Sequence, residues 1–456
     1  MRNFDFKFAN SYQGYWKLGN TDEELPGVLY VEKHDIRLEL FWNNYLFVEV
    51  QQPLFCKGYA YAKNAENRTC YYFTLNELYC TQCSVFGNKQ SQYTFDVNSF
   101  FITDKPNIEF DGIRSFCIRT SLMDKWVRDF SLNCFDYEIA MGKYDPINLV
   151  YTPKKPLSLF DSEHYNVYLM FGYGYSNPSA KGFVLTTHTF INVDLKNMLD
   201  FEDATEIAEQ TIWLLSILWD NLFVPDFIEY RTKDSEFIFK QSDRYSYKYH
   251  DVENNALRTS ISDFSLEEIS SIIEGWQKLI DTNRNSVMSF FETQFNGHMS
   301  PSTCLKNYVT VIDGITSEMA VETNGRIQDG KRTEEMKRIL SKIVNVLSKE
   351  EYNRLSNAVF RQSPRELKFR LKCFLEKIAE YVILDLDDDF YIKVIDTRNH
   401  ITHTGASNDN AYPPTMYRDV SYCLEKLILA YFLSYIGVSK EIAYKIVENV
   451  RLKTAS

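Results

Sequence analysis

Residues 396–405 (D-T-R-N-H-I-T-H-T-G) concentrate the side chains of this chain that are best suited to proton transfer and anion binding. The chain has only 7 histidines in 456 residues, yet His400 and His403 lie three positions apart, directly after Arg398 and Asn399. A guanidinium binds a phosphate through paired hydrogen bonds, and an imidazole accepts and returns protons near neutral pH. An arginine and a histidine placed in this way have the chemistry that is needed to cut RNA.

Helix geometry limits how these side chains can cooperate. Arg398 and His403 would lie ~140° apart on an ideal helix, whereas Asn399 and His403 are four apart and share a face. Two copies of the chain about a two-fold axis would bring two arginines and two histidines to one cleft. There His403 would act as general acid or base, and Arg398 would stabilise the charge on the scissile phosphate, with no metal required. The structural alternative is that Arg398 pairs with Asp396 and that both histidines simply occupy a helix end.

A group of basic residues precedes this stretch. Residues 363–366 (S-P-R-E) combine an N-cap serine, a proline at the first position and an acid, which predicts the start of a helix. Arg365, Lys368 and Lys372 then recur at spacings of three and four, and Arg361 lies just ahead of them. They form one stripe that could follow an RNA backbone. The alternative is an ordinary solvated helix face.

The remaining elements differ between the two halves of the chain. The first 200 residues show period-2 alternation and many aromatic residues between turn signals, which predicts short antiparallel strands in a sandwich or open barrel. Asp203 is the predicted N-cap of a helix that ends near residue 221. The expected strands are 27–31, 36–42, 71–75, 93–97, 165–171 and 183–191, then a hairpin of 227–230 with 237–240, and a strand at 245–249.

From residue 261 onward the apolar residues follow a helical period, with the last two helices predicted at 416–435 and 439–450. The polar loop 251–259 is the best candidate for a domain boundary. We therefore expect a multidomain α+β chain, in which a β-rich N-terminal region is followed by an all-α bundle. The predicted division is a β-rich N-terminal domain of residues 1–200, a connecting segment of residues 201–260 and a helical domain of residues 261–456.

Composition restricts the class of protein. Hydrophobic residues make up 45% and charged residues 25%, as in soluble globular proteins, and the charged start of the chain does not resemble a signal peptide. No apolar run is long enough to cross a membrane, and the 9 cysteines are an odd, scattered set, so we expect reduced thiols in the cytoplasm. A net charge of −12 argues against wholesale nucleic-acid binding, so any RNA contact must be local.

Two groups of residues resemble metal sites, but each has a simpler explanation. Cys80 and Cys83, with Cys70 nearby, lack the second close pair that a structural zinc site needs, and buried free cysteines are the alternative. The acidic run 385–389 lacks the glycine and the terminal glutamate of a calcium loop, which favours a solvated loop before the helix that carries Arg398. We therefore expect no metal and no cofactor.

Two separate motifs resemble one protein family. The pattern R-N-x-x-x-H, here Arg398, Asn399 and His403, is similar to the ribonuclease motif of HEPN domains, which are small helical bundles. The longer stretch T-R-N-H-I-T-H-T-G resembles the ApeA branch of bacterial anti-phage, abortive-infection proteins. Independently, residues 13–16 (Q-G-Y-W), 25–29 (L-P-G-V-L) and 38–40 (L-E-L) resemble the start of the ApeA N-terminal domain.

The resemblance implies a metal-independent endoribonuclease that is active as a homodimer of its C-terminal HEPN-type domain. It implies that Arg398 and His403 are the catalytic pair, with Asn399 beside the arginine and His400 as a substrate contact. The expected substrate is single-stranded or loop RNA, of which tRNA is one candidate, and the N-terminal region would sense a phage-derived trigger or restrain the nuclease. Two alternatives stay open: a module that binds RNA or a nucleotide without cutting it, and a sensor or scaffold that only dimerises.

Overall fold

A computed structural model gives the fold of this chain. The residues that the structure describes are 11–19, 23–32, 35–42, 54–62, 70–86, 90–106, 110–127, 135–138, 148–151, 155–175, 185–242, 257–322, 338–343, 347–348, 351–352, 355, 367–402 and 410–452.

The chain divides into two compact units, residues 1–270 and 271–456. Strands dominate the first unit and helices dominate the second. The predicted fold class, a β-rich N-terminal region followed by a helical bundle, is therefore confirmed. The finer division into 1–200, 201–260 and 261–456 stays a prediction.

The first six strands close into a barrel. Their hydrogen-bonded order is β6-β3-β2-β1-β4-β5, and β5 pairs again with β6, which completes the ring. The strands alternate in burial, so that Trp16, Leu38 and Phe95 are fully buried inside the ring. The bounds of these strands are Ser11–Leu18 (β1), Leu25–Val31 (β2), Ile36–Trp42 (β3), Leu54–Ala62 (β4), Cys70–Phe86 (β5) and Gln90–Thr103 (β6).

One barrel strand continues into a second sheet. The first half of β6 pairs with β3, whereas Ser99 to Ile102 pair with β14, the last described strand of the unit. From there the order runs β14-β13-β7-β12-β11-β10, and β8 and β9 form a separate hairpin. The bounds are Ile113–Arg119 (β7), Phe135–Glu138 (β8), Asn148–Tyr151 (β9), Leu157–Asp161 (β10), Tyr165–Tyr175 (β11), Leu185–Leu199 (β12), Phe227–Arg231 (β13) and Glu236–Gln241 (β14).

The predicted hairpin at 227–240 is present as β13 and β14, while the predicted strand 245–249 lies outside the described residues. The described residues up to 242 include the helices α1 (Ser121–Trp126) and α2 (Phe201–Trp219), whose last tryptophans pack with ring centroids 5.9 Å apart. The prediction of Asp203 as the N-cap of α2 is wrong. The carboxylate of Asp200 accepts the Asp203 N–H at 2.9 Å, so the helix starts three residues earlier.

The second unit is built around one nearly fully buried helix, α7. Buried side chains occur on all of its faces, because α4, α5, α8 and the strand β16 pack around it. Within the described ranges, no helix combines the length and apolarity needed to cross a bilayer. The helices with described bounds from residue 266 onward include Leu266–Phe295 (α3), Pro301–Glu322 (α4), Leu367–Ile378 (α5), Phe390–Thr402 (α6), Tyr417–Tyr435 (α7) and Lys440–Val447 (α8).

A small parallel sheet interrupts the helical pattern. Ile383–Leu386 (β15) pairs with Asn449–Leu452 (β16), in the register of Leu384 opposite Val450. The predicted helix 439–450 is therefore too long, since α8 ends at Val447 and the chain turns into β16. Likewise the start of the acidic run 385–389 is part of a strand and not of a solvated loop.

Candidate functional site

Helix α6 carries the R-N-x-x-x-H stretch and lies against α4 and α5. Its buried face consists of Phe390, Val394 and Thr397, at spacings of four and three. This spacing places the three side chains on one stripe of the helix, while Ile395 and Asp396, on other sides of the helix, are buried as well. The last turn of α6 is the more exposed part, with Arg398 and Asn399 half-buried and His400 exposed.

The start of α6 is held by carboxylates. The Lys393 Nζ lies 3.0 Å from Asp389 Oδ1 and 3.3 Å from Asp387 Oδ2, and it is 5.8 Å from the centre of the Tyr412 ring. The hydrogen bond that Lys393 donates to Asp389, together with the Asp387 carboxylate, raises the pKa of Lys393 above its ordinary value. Two acids at a helix N-terminus also interact favourably with the helix dipole. Asp387 and Asp389 of this run therefore have a structural role at the start of α6.

A buried hydroxyl connects α6 to the chain that returns after the motif. Thr397 is fully buried, and its Oγ1 donates to the Lys393 carbonyl at 2.7 Å and accepts the Tyr412 N–H at 2.8 Å. Tyr412 is itself 2% exposed, and its ring lies 6.5 Å from that of Phe390. The sequence interpretation missed both residues. A hydroxyl residue in an otherwise apolar helix stripe was the available signal, because a buried polar group needs a partner.

Arg398 is not paired with Asp396, so the structural alternative for the arginine is wrong. The two residues lie about 160° apart on a helix at 100° per residue, and the guanidinium Nη1 donates instead to the Asn399 Oδ1 at 3.1 Å. The Arg398 Nε is shielded from solvent, and it has no hydrogen-bond partner among the described residues. The arginine is thus braced by a neutral amide and retains donors for an anion.

Of the two histidines in the stretch, His400 is among the described residues and His403 is not. His400 is exposed in the last turn of α6, where a basic residue is favoured by the helix dipole. Thr402 is the last described residue of the helix, and its Oγ1 donates to the Arg398 carbonyl at 2.8 Å. His403 follows directly in the chain but lies outside the described residues. That the imidazole of His403 and the guanidinium of Arg398 act at one site therefore stays a prediction.

The predicted basic stripe is only partly described. Lys372 is exposed on α5, on the side opposite the buried Leu371 and Phe374. Arg361 and Arg365 lie outside the described residues, as does the side chain of Lys368, although its backbone belongs to α5.

Another arginine of α5, which the sequence interpretation did not single out, is used structurally. Arg370 makes an ion pair with Asp313 of α4, and its Nη1 also donates to the Asp313 carbonyl at 3.1 Å. Because α5 packs on both α4 and α6, this pair helps to hold the helix of Lys372 beside the helix of Arg398.

The three cysteines considered for zinc all lie on β5 as free thiols. Cys70 and Cys80 are half-buried and Cys83 is exposed, which differs from the buried thiols that the sequence suggested as the alternative. In the described part of the chain, no three histidine, cysteine or acidic side chains come close enough to hold a metal ion together.

Two protein-family models match different parts of the chain. A family model described as Apea-like HEPN matches residues 307–442, which include α5, α6 and α7 and the whole R-N-x-x-x-H motif. A second model, described as ApeA N-terminal domain 1, matches residues 11–276, more than half of the chain. No curated protein and no solved structure matches the sequence.

Proposed function

Because the chain belongs to the ApeA family and so has the role of an anti-phage HEPN nuclease, we propose that it acts as a metal-independent endoribonuclease. The observation that carries the proposal is the state of Arg398. It lies at the exposed end of α6, inside the HEPN match, and its guanidinium is held by Asn399 and makes no ion pair with a carboxylate of the described residues. A cation kept ready in this way is suited to a phosphate.

The chemistry follows from these two side chains. His403 accepts the proton of a ribose 2′-hydroxyl, the 2′-oxygen attacks the adjacent phosphorus, and the bond from phosphorus to the 5′-oxygen breaks. A protonated histidine returns the proton to that 5′-oxygen, which leaves a 2′,3′-cyclic phosphate and a 5′-hydroxyl. Arg398 binds the non-bridging oxygens and stabilises their growing charge. The attacking group is supplied by the RNA itself, so no metal-bound water is needed.

The site is completed by a second copy of the chain. Arg398 and His403 would lie ~140° apart on one helix, which makes a shared approach to one phosphate difficult within a single chain. A homodimer through the helical unit places the arginine of one copy opposite the histidine of the other. Asn399 then orients the arginine. The substrate backbone is contacted by His400, Arg361, Arg365, Lys368 and Lys372.

The substrate class is single-stranded or loop RNA in the cytoplasm, with tRNA as one candidate. In such RNA the 2′-oxygen can rotate into line with its own phosphate. The β-rich unit, residues 1–270, responds to a phage-derived trigger or restrains the nuclease.

The residue roles are tested by alanine variants of the full chain. Arg398→Ala and His403→Ala should each lower RNA cleavage by about 100-fold or more, because each removes a main source of transition-state stabilisation. Arg418→Ala and His298→Ala change exposed residues of the same types in the same unit, and should leave cleavage unchanged. Sequencing of RNA ends, with and without a chelator, should show the same cyclic-phosphate ends. Unchanged cleavage in the first two variants would reject the assignment. RNA binding without new ends would favour a non-catalytic module.

The shared site is tested by mixing the two inactive variants. A mixed dimer holds one intact Arg398 and one intact His403 on different chains. If the site forms across the two-fold axis, co-expression of the two variants should restore part of the cleavage. If both residues act within one chain, the mixture should stay as inactive as each variant alone.

A further inference from the structure

The outer face of the barrel carries a row of three tyrosines on neighbouring strands. Tyr15 of β1 lies opposite Tyr59 of β4, and Tyr59 lies opposite Tyr72 of β5. Trp16 and Phe73, the next residues along β1 and β5, are buried inside the barrel, so the tyrosines face outward. Tyr15 is 48% exposed, and the rings of Tyr15 and Tyr59 are 5.8 Å apart with an interplanar angle of 33°.

A second row on the same face is cationic. Lys17 lies opposite Lys57, and Lys57 lies opposite Thr74, two residues along each strand from the tyrosines. This spacing separates the rows by about 6.6 Å along the strands, while neighbouring strands are about 4.8 Å apart. Like charges directly opposite each other destabilise a sheet. Lys17 is partly compensated by Glu24 at 3.6 Å, but Lys57 makes no ion pair with any residue that the structure describes.

The two rows line one open groove of about 270 Å³. Its charged side chains are the two lysines and Glu24, and the Tyr59 hydroxyl donates to that carboxylate at 3.2 Å. Glu24 is therefore engaged by both Lys17 and Tyr59, whereas no described residue balances the charge of Lys57. Aromatic faces beside an unbalanced cation complement a ligand that is flat and aromatic at one end and anionic at the other.

We propose that this groove binds single-stranded nucleic acid, one nucleotide of which occupies the two rows. The base stacks on the tyrosine row, as bases do on the aromatic platforms of single-strand-binding proteins. The adjoining phosphate lies over Lys17 and Lys57, and the Thr74 hydroxyl is within the same row as a donor. Since every base has an aromatic face, this binding is sequence-tolerant. It does not depend on the proposed nuclease activity.

The test uses the full chain and a fluorescein-labelled single-stranded oligodeoxythymidylate, followed by fluorescence anisotropy. DNA has no 2′-hydroxyl, so the proposed cleavage cannot interfere, and a failed nuclease assay would leave this test unaffected. Tyr15→Ala should weaken binding about tenfold or more, whereas Tyr15→Phe keeps the aromatic face and should bind like the wild type. Lys57→Glu should weaken binding and reduce the salt dependence by about one phosphate contact.

Two matched variants control for surface changes elsewhere on the same unit. Tyr79→Ala removes a tyrosine of β5 that is 43% exposed outside the groove, and Lys155→Glu reverses an exposed lysine. Both should bind the oligonucleotide like the wild type. After ultraviolet crosslinking, an iodouracil-substituted strand should be attached to peptides that contain Tyr15 or Tyr59.

Three results would overturn the proposal. One is equal weakening by the groove and control variants, and another is crosslinks confined to the helical unit. The third is displacement of the strand by thymidine monophosphate at the same nucleotide concentration, which would mean that the groove takes free nucleotides. Thermal unfolding of each variant ensures that a loss of binding is not a loss of fold.

Discussion

Replacing Thr397 by valine removes the hydroxyl that joins α6 to the returning chain and keeps the side chain's shape. The change leaves the buried Tyr412 N–H without a partner, and an unsatisfied buried donor costs about 1–3 kcal/mol. Both residues are β-branched, so helix propensity changes little. We expect the free energy of unfolding of the helical unit to fall by about 2 kcal/mol. For a unit of this size, that corresponds to a melting temperature lower by about 4–8 °C.

Two further substitutions isolate the cause. Thr316 of α4 is 3% exposed, but its hydroxyl donates only to carbonyls of its own helix, so Thr316→Val leaves no N–H unpaired. It should cost at most about 1 kcal/mol. Thr397→Ser keeps the hydroxyl and removes one methyl group, at a cost of about 1 kcal/mol. Valine at 397 should therefore be the most destabilising of the three.

Urea unfolding followed by far-ultraviolet circular dichroism measures these differences, because the helices dominate that signal. Thr397→Val unfolding at the same urea concentration as Thr316→Val would refute the assignment of the Tyr412 hydrogen bond as the source of stability. The rate of RNA cleavage is a second measurement, which tests whether this hydrogen bond positions the segment after α6. Well below its melting temperature, Thr397→Val should cleave RNA more slowly than Thr316→Val, since the bond fixes the end of the segment that contains His403.

Three other outcomes are expected. Arg398→Lys keeps the charge but loses the planar pair of donors, so cleavage should fall by about tenfold or more; wild-type rates would argue against bidentate phosphate binding. Gly275→Ala should destabilise the helical unit by about 1–3 kcal/mol, because the new Cβ would lie 2.8 Å from the Ile436 Cα. In Gly314→Ala the new Cβ meets only a rotatable serine hydroxyl, so this control should be near neutral in the same urea titration. Burial raises the pKa of the Cys117 thiol to about 12, so the folded state keeps the thiol proton and the free energy of unfolding should decline as pH rises from about 9 towards 12. Cys117→Ala should flatten that decline, and an unchanged slope would contradict this assignment.

Local periodicity predicted most of the elements that hold the candidate site. The apolar spacing of α5 and α7 and the alternation of β3 follow from the geometry of single helices and strands, and they were read correctly. Most errors lie at element ends, apart from the strand β15 where a loop was expected. Asp200 and Asp203 are both acceptable N-caps by type, and only the path of the chain after β12 decides that Asp200 accepts the hydrogen bond. The end of α8 was likewise decided by the pairing of β16 with a distant strand.

The sequence by itself determined the division into a β-rich and a helical half and the motif of Arg398, Asn399 and His403, because both depend on neighbours within a few residues. Only the tertiary structure decided that Arg398 donates to Asn399 and is not neutralised by Asp396, that β5 closes the barrel on β6, and that three tyrosines align across separate strands. The barrel closure and the tyrosine row join distant residues by strand register and packing. No local pattern specifies such a register, since its free energy comes from contacts that form only when the whole unit folds.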